Sequence, residues 1–265
     1  MTEPSDGAPP PPEHRFPGPG TLDRALDLVR FLRGACPWDA EQTALSLVPH
    51  LLEEAHEVAE TIQEGRTDAL PAELGDLLLN LAFQVVVGEE DGTVDAERVY
   101  RSLEEKMVAR HPHLFGGGER EDWEALKARE RPVGAGVLSG MSRGLDPLNK
   151  AHRIQERVAS VGFDWEDYRG ALDKVREELE EAREAIESER ADEIEEELGD
   201  LLFAVVNLTR LAGVHASTAL ARANLKFRDR FERLEGLAHE RGITLETAGL
   251  EALDRLWDEL KAREP

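Results

Sequence analysis

Two acidic motif pairs recur in this chain: Glu53-Glu54-x-x-Glu57 followed by Glu73-x-x-Asp76, and Glu177-Glu178-x-x-Glu181 followed by Glu197-x-x-Asp200. On a helix, residues i, i+1 and i+4 fall within an arc of about 100°, so each Glu trio shares one face. The Glu and Asp at i and i+3 share a face of the next helix. A short turn between them sets the helices antiparallel and brings four or five carboxylates together. Counting from the turn places Glu181 level with Asp200 and Glu57 level with Asp76. Carboxylates at that density repel one another unless a cation lies among them. Hard oxygen donors suit Mg²⁺, with Mn²⁺ as a substitute, and Mg²⁺ commonly binds a few carboxylates plus substrate phosphates. The candidate metal ligands are therefore four or five of Glu177, Glu178, Glu181, Glu197 and Asp200. Their counterparts Glu53, Glu54, Glu57, Glu73 and Asp76 form a candidate second site.

A Glu-rich helix ordinarily presents nothing more than a solvated acidic face. Here the acids sit beside apolar stripes (Leu74, Leu77, Leu78, Leu81; Leu198, Leu201, Leu202), which marks these as core helices. Gly75 and Gly199 interrupt the motifs at about 1 kcal/mol each relative to Ala, and predict a close helix approach at the site. Other chemistries fit less well. A di-iron bundle needs two Glu-x-x-His elements, but Glu53-x-x-His56 is matched in the repeat by Glu177-x-x-Glu180. There is no GxxxxGK[ST] loop, and Gly134-Ala-Gly136 lacks the third glycine of a dinucleotide fingerprint. A Nudix box fails because Arg183 takes its glycine position and Glu178 an apolar one.

The elements that must position these acids come from a duplication. Residues 53–79 and 177–203 are identical at 13 of 27 positions without a gap, Ile62/Ile186, Arg66/Arg190 and Asp68/Asp192 among them. Allowing gaps, Cys36-Pro37-Trp38-Asp39 loosely parallels Val161-Gly162-Phe163-Asp164-Trp165, and Lys106-x-x-x-Arg110 parallels Lys226-x-x-x-Arg230. Charged residues are 33% and aromatics 5% of the 265, a balance that favours helix over strand. The expected fold is all-α, two tandem helical-bundle modules at 21–130 and 147–265, joined by a Gly/Pro-rich linker at 131–146 and preceded by a disordered Pro-rich tail at 1–20. Helices are expected near 21–34, 46–64, 69–88 and 94–110, with a short one at 121–130, then near 147–160, 168–187, 192–212, 216–239 and 248–262. Thr21 and Asp192 read as N-caps, Asp192 forming a box with Glu195.

A net charge of −24 argues against binding polynucleotides. The lone Cys36 excludes an intramolecular disulfide and, with no secretory signal, points to the cytoplasm. The apolar stretch Leu74 to Val87, broken by Asp76, Asn80 and Gln84, reads as too short and too polar to span a bilayer. Cys36 reads as a packing thiol, Trp38 as either a base-stacking or a packing ring, and His111 and His113 as turn formers around Pro112.

With these motifs in view, the chain resembles the MazG family of all-α nucleoside triphosphate pyrophosphatases. The resemblance rests on Cys36-Pro-Trp-Asp-x-x-Gln-Thr43, both EExxE/ELGD pairs, His111-Pro-His-Leu-Phe115, Val161-Gly-Phe-Asp-Trp165 and Asn224-x-Lys-Phe-x-x-Arg-Phe231, and covers about residues 21–262. It implies Mg²⁺-dependent hydrolysis of NTPs or dNTPs to the monophosphate and pyrophosphate, in nucleotide-pool house-cleaning, by a homodimer or higher oligomer. It further implies that Lys174, Lys226 and Arg230 contact the phosphates and that Glu196, Trp257 and Lys261 help hold the nucleotide, with Glu177 and Glu178 at the chemistry. The C-terminal module is expected to be the main site, because Lys174 stands where the first module has His50. In the first module Lys106 and Arg110 would serve the second or regulatory site. The reading from a different class is a helical adaptor or nucleotide sensor that keeps the metal set without catalysis.

Overall fold

The computed structural model describes residues 24–115, 119–121, 123–130 and 134–263; the tail, the Thr21 cap and residues 131–133 of the linker lie outside them. Every regular element among the described residues is a helix. Contacts divide the chain into two units between Arg120 and Glu121. The first holds α1 (Arg24–Ala35), α2 (Pro37–Glu41), α3 (Val48–Glu64), α4 (Leu70–Glu90), α5 (Ala96–Arg110) and α6 (Pro112–Phe115). The second holds α7 (Trp123–Arg129), α8 (Pro147–Ala159), α9 (Tyr168–Glu187), α10 (Ala191–Leu211), α11 (Ala216–Glu240), α12 (Leu245–Ala248) and α13 (Leu250–Ala262).

Local chemistry sets these limits. Asp146 caps α8 by accepting from Leu148 N and Asn149 N, with Pro147 in the first turn where its missing N–H is harmless. Asp95 and Asp167 cap α5 and α9 in the same way. Asp192 does not cap α10, contrary to the sequence reading: the helix starts one residue earlier, after Arg190, whose side chain makes no cap. Asp192 instead lies in the first turn, where its charge still meets the positive end of the helix. His111 ends α5, its Nδ1 2.6 Å from Met107 O.

In the first unit Val29, Leu47, Ala82, Phe83 and Val86 close the core where α1 and the loop before α3 meet α4. Each of Val29, Leu47, Phe83 and Val86 contributes roughly 1.5–3 kcal/mol by leaving water. Helix α4 runs 21 residues and is long and apolar enough to cross a membrane by length and composition, which corrects the reading of that stretch as too short. Here its buried side chains are the core of the unit. In the second unit Leu234 and Ala238 of α11 pack on Leu256 and Leu260 of α13.

The pair α9–α10 closes on small residues, with Ala171, Ala182 and Ala185 of α9 and Ala204 of α10 all buried. The alanines, not the motif glycines, make the close approach: a Cβ on Gly75 or Gly199 would meet nothing within 4 Å, which corrects the sequence expectation. Gly170 is different. A Cβ there would lie 2.2 Å from Trp165 Cδ1, so the indole rests directly on the first turn of α9. Gly170→Ala is expected to push Trp165 off this seat and to lower stability by roughly 1–3 kcal/mol. Urea unfolding of the variant measures this, and an unchanged midpoint would show that the ring is not seated there.

Candidate functional site

Hairpin register decides which acids meet. Helices α9 and α10 are separated by three residues, so equal steps from the turn pair Glu181 with Glu197, six residues out, and Glu178 with Asp200, nine residues out. Carboxylate oxygens of Glu178, Glu197 and Asp200 lie within 4.8 Å of one another, as do those of Glu177, Glu178 and Glu181. The expected level pair of Glu181 with Asp200 is thus one turn out, and Glu178 is the shared member. In the first module the converging set is Glu54, Glu73 and Asp76, with Glu57 left outside it. The cause is again the turn: Leu70 N and Ala69 N both bond Arg66 O at 3.2 Å, so helical winding begins before α4 proper.

Glu178 is 4% exposed, yet it is not a bare buried charge. Lys174 Nζ lies 2.5 Å from Glu178 Oε1 and 2.7 Å from Glu177 Oε1, one turn back on α9. Those two bonds, Glu177 first and then Glu178, hold the Lys174 ammonium well above its ordinary pKa. Among the described residues no basic side chain pairs with Glu181, Glu197 or Asp200. Loss of hydration, then the charge of Glu178, pushes the Glu181 carboxyl up. Glu197 is raised by the same two causes, with Glu196 and Asp200 adding to them. In the first module Glu54 is raised by lost hydration, then by Asp76, Glu57, Glu53 and Glu73. Among the described residues its neighbour His50 reaches Glu53, at 3.7 Å. An all-oxygen cluster of carboxylates, crowded enough to raise Glu54, Glu181 and Glu197, is the donor set a hard divalent cation neutralises, so these residues fit Mg²⁺ or Mn²⁺.

The other sequence-derived candidates are placed elsewhere. Glu196 is exposed beside Glu197 and outside both acid sets. Lys226 and Arg230 ride on α11, which leaves α10 through a bend of 100°. From the helical rise, Lys226 stands roughly 20 Å from Asp200. The Arg230 guanidinium lies 4.9 Å from the Trp257 ring, which itself packs 5.0 Å from Phe227. Lys261 Nζ is 3.8 Å from Asp258. Within one chain, then, α11 and α13 form an aromatic and basic cluster apart from the acids. Lys106 and Lys226 line matching surface recesses, with Asp95, Arg98 and Ser102 in one and His215, Thr218 and Arg222 at the corresponding places in the other. The duplication therefore extends to residues whose identities have diverged. Arg110 closes the last turn of α5, and Trp38 is exposed behind Cys36 and Pro37.

Sequence reasoning missed the partners of the Val161–Trp165 motif. Asp164 Oδ1 accepts from Arg210 Nη2 at 2.5 Å and from Trp165 N at 2.9 Å, tying this loop to the end of α10. Nothing in the periodicity marks Arg210 for that role.

The MazG nucleotide pyrophosphohydrolase domain model matches residues 42–115 and again residues 168–234. The nucleoside triphosphate pyrophosphohydrolase/pyrophosphatase MazG of Thermotoga maritima is 42% identical over 246 residues, 91% of this chain and 95% of that protein. The nucleoside triphosphate pyrophosphohydrolase of Escherichia coli K12 is 38% identical over 259 residues, 92% of this chain and 98% of that protein. An uncharacterised Bacillus subtilis protein, YabN, is 38% identical over 248 residues, 89% of this chain and 51% of its own length.

Proposed function

We propose, from the premise that this chain belongs to the MazG family of nucleotide pyrophosphohydrolases, that it hydrolyses nucleoside triphosphates to monophosphate and pyrophosphate at the α9–α10 acids. The observation that carries this reading is the Glu178-centred cluster, in which two carboxylate sets meet on one buried side chain. Glu178, Glu181, Glu197 and Asp200 would hold Mg²⁺, or Mn²⁺ in its place. When bound, the ion supplies charge neutralisation and Lewis-acid polarisation to phosphate oxygens. Lys174, already beside Glu177 and Glu178, is set to turn its ammonium to a phosphate oxygen once those acids engage a cation. Glu177 is largely exposed next to this cluster and can accept the proton of an attacking water at its carboxylate. That water attacks the α-phosphorus, the bond to the α–β bridging oxygen breaks, and pyrophosphate leaves.

The second module is the main site in this reading, since its acids have Lys174 where the first module has His50. The first set would then bind metal or nucleotide in a supporting role. The chain would act as a homodimer or higher oligomer in the cytoplasm, clearing nucleotide pools. Supporting the oligomer, Leu198, Leu202 and Val205 form one stripe on α10 and are 40%, 60% and 38% exposed. Pairing would bury that stripe and let α11 of one copy present Lys226 and Arg230 to the acids of another.

Reaction in ¹⁸O-water tests the chemistry. The expected products are pyrophosphate and a monophosphate carrying the label. Orthophosphate with a diphosphate, or label in pyrophosphate alone, would rule out attack at the α-phosphorus. A folded protein that binds Mg²⁺ and nucleotide without turnover would favour the sensor reading instead.

A further inference from the structure

Two histidines meet where α10 turns into α11. His152 of α8 and His215, the residue before α11, have ring centroids 4.2 Å apart and planes tilted by 37°. His152 is 8% exposed, and its Nδ1 has no hydrogen-bond partner among the described residues. Its Nε2 lies 3.6 Å from Glu156 Oε1, while Arg153 already holds the other oxygen of that carboxylate at 2.5 Å. The charged groups facing the ring are Glu156 and Arg153 from its own helix, Arg210 from α10 and His215 from α11. A neutral imidazole suits this place, with its proton assigned to Nε2 on the Glu156 side and Nδ1 bare. A second proton would bury an Nδ1–H donor with no acceptor, beside two guanidinium groups and another imidazole. Burial first, and then His215, accordingly hold the His152 pKa below its ordinary value, against the pull of Glu156.

The ring pair sits where α8 grips the first turn of α11. Beside it Ser217 Oγ donates to Asn149 Oδ1 at 3.1 Å, and Ala216 is buried. Ala219 N bonds His215 O at 2.9 Å, so the backbone of His215 also carries the opening bond of the helix. The reversal before it is made at Gly213, with φ of 74°. A glycine turn admits other angles, so the 100° bend is fixed by what the first turn of α11 touches. His215 lines the same recess as Lys226, and Arg230 follows one turn further on. A helix moves as a rod, so a shift at its start carries both basic side chains with it.

We propose that His152 and His215 form a proton-operated latch on α11. With both rings neutral the helix stays docked on α8 and presents Lys226 and Arg230 to the nucleotide. A proton on the pair releases the first turns of α11 and weakens nucleotide binding. The effect on binding rests on the pyrophosphohydrolase reading; the release itself does not. Because docking holds His152 below its ordinary pKa, the docked state is favoured fully above about 6.5, the value of a released histidine. That preference is lost as pH falls through the docked-state value. The raised acids Glu181 and Glu197 lie toward the other end of the α9–α10 hairpin, so substitutions at the rings leave their titration in place.

Hydrogen exchange and steady-state kinetics on the full-length wild type, His152→Gln and His215→Gln test the latch. Protection factors, which correct for the intrinsic pH dependence of exchange, are read at the amides of Ala219 to Arg222. In the wild type they are expected to fall about tenfold from pH 7.5 to 5.5, because the lower value is one unit below a released histidine. In His152→Gln they should stay within about 2-fold over that span. His215→Gln keeps the buried ring but removes its neighbour, and should fall in between. KM scales inversely with the docked fraction, so it should rise at least ~2-fold more in the wild type than in His152→Gln, with parallel kcat profiles. By imidazole NMR, His152 should titrate below an ordinary histidine in the wild type and move up in His215→Gln. Flat protection in the wild type, an equal fall in His152→Gln, or a His152 that titrates at or above the ordinary value overturns the latch. Equal KM profiles despite release overturn its hold on the nucleotide. A wild type inert toward every nucleoside triphosphate overturns instead the pyrophosphohydrolase reading, and the exchange result stands apart from it.

Discussion

Glu178→Gln is expected to cut pyrophosphate release at least ~100-fold, about 2.7 kcal/mol of transition-state stabilisation, while the equivalent Glu54→Gln leaves most of the activity. Glu178 belongs to both acid sets of the second unit and is the buried partner of Lys174. The amide keeps the shape of the side chain but removes one charged oxygen donor and frees Lys174 toward Glu177. Helix and core are untouched, so circular dichroism should match the wild type. The paired design separates the modules: each substitution removes the most central acid of its own cluster. A larger loss in Glu54→Gln than in Glu178→Gln would reverse the assignment of the main site, and full activity in both would remove the clusters from the chemistry.

Glu197→Gln is expected to reverse its stability order relative to the wild type when Mg²⁺ is added. Without metal, Glu197 is penalised in the folded state, since lost hydration and the charge of Glu178 raise its pKa. A carboxyl raised on folding lowers stability above its folded pKa, and the loss is relieved as pH falls through that value toward the unfolded one. In EDTA near neutral pH the variant should therefore melt at or above the wild type, the gap closing as pH falls and both side chains become neutral. With Mg²⁺ the order inverts, because an ion bound to the native state stabilises by about 2.7 kcal/mol at one hundred times its Kd. Thermal melts at several pH values, with EDTA and with Mg²⁺, provide the measurement. An equal Mg²⁺ shift in both proteins would place the ion elsewhere.

Much of the fold is legible in the residue pattern alone. The period of α3, α9 and α10 and the apolar run of α4 place their ends within two residues, because errors at single positions average out over long helices. The acid clusters are legible because the duplication repeats their spacing. The register is not. It depends on three residues between α9 and α10 and on early winding after Arg66, and one residue at a turn rotates everything beyond it by about 100°. The bend between α10 and α11, which keeps Lys226 and Arg230 from the acids of their own chain, leaves no trace in a hydrophobic pattern.

The two acid hairpins reverse direction at equivalent residues, Gly65 with φ of 70° and Glu189 with φ of 56°. Glycine takes this conformation freely, whereas a side chain there costs about 1–3 kcal/mol. In the first hairpin the reversal can form early, from local preference, and bring its arms together. In the second it persists only where the alanine seam of α9 and α10 already holds the arms in place. The copies thus reverse direction with the same backbone turn at unequal cost: glycine takes it freely in the first, and in the second the packing of α9 on α10 must offset it.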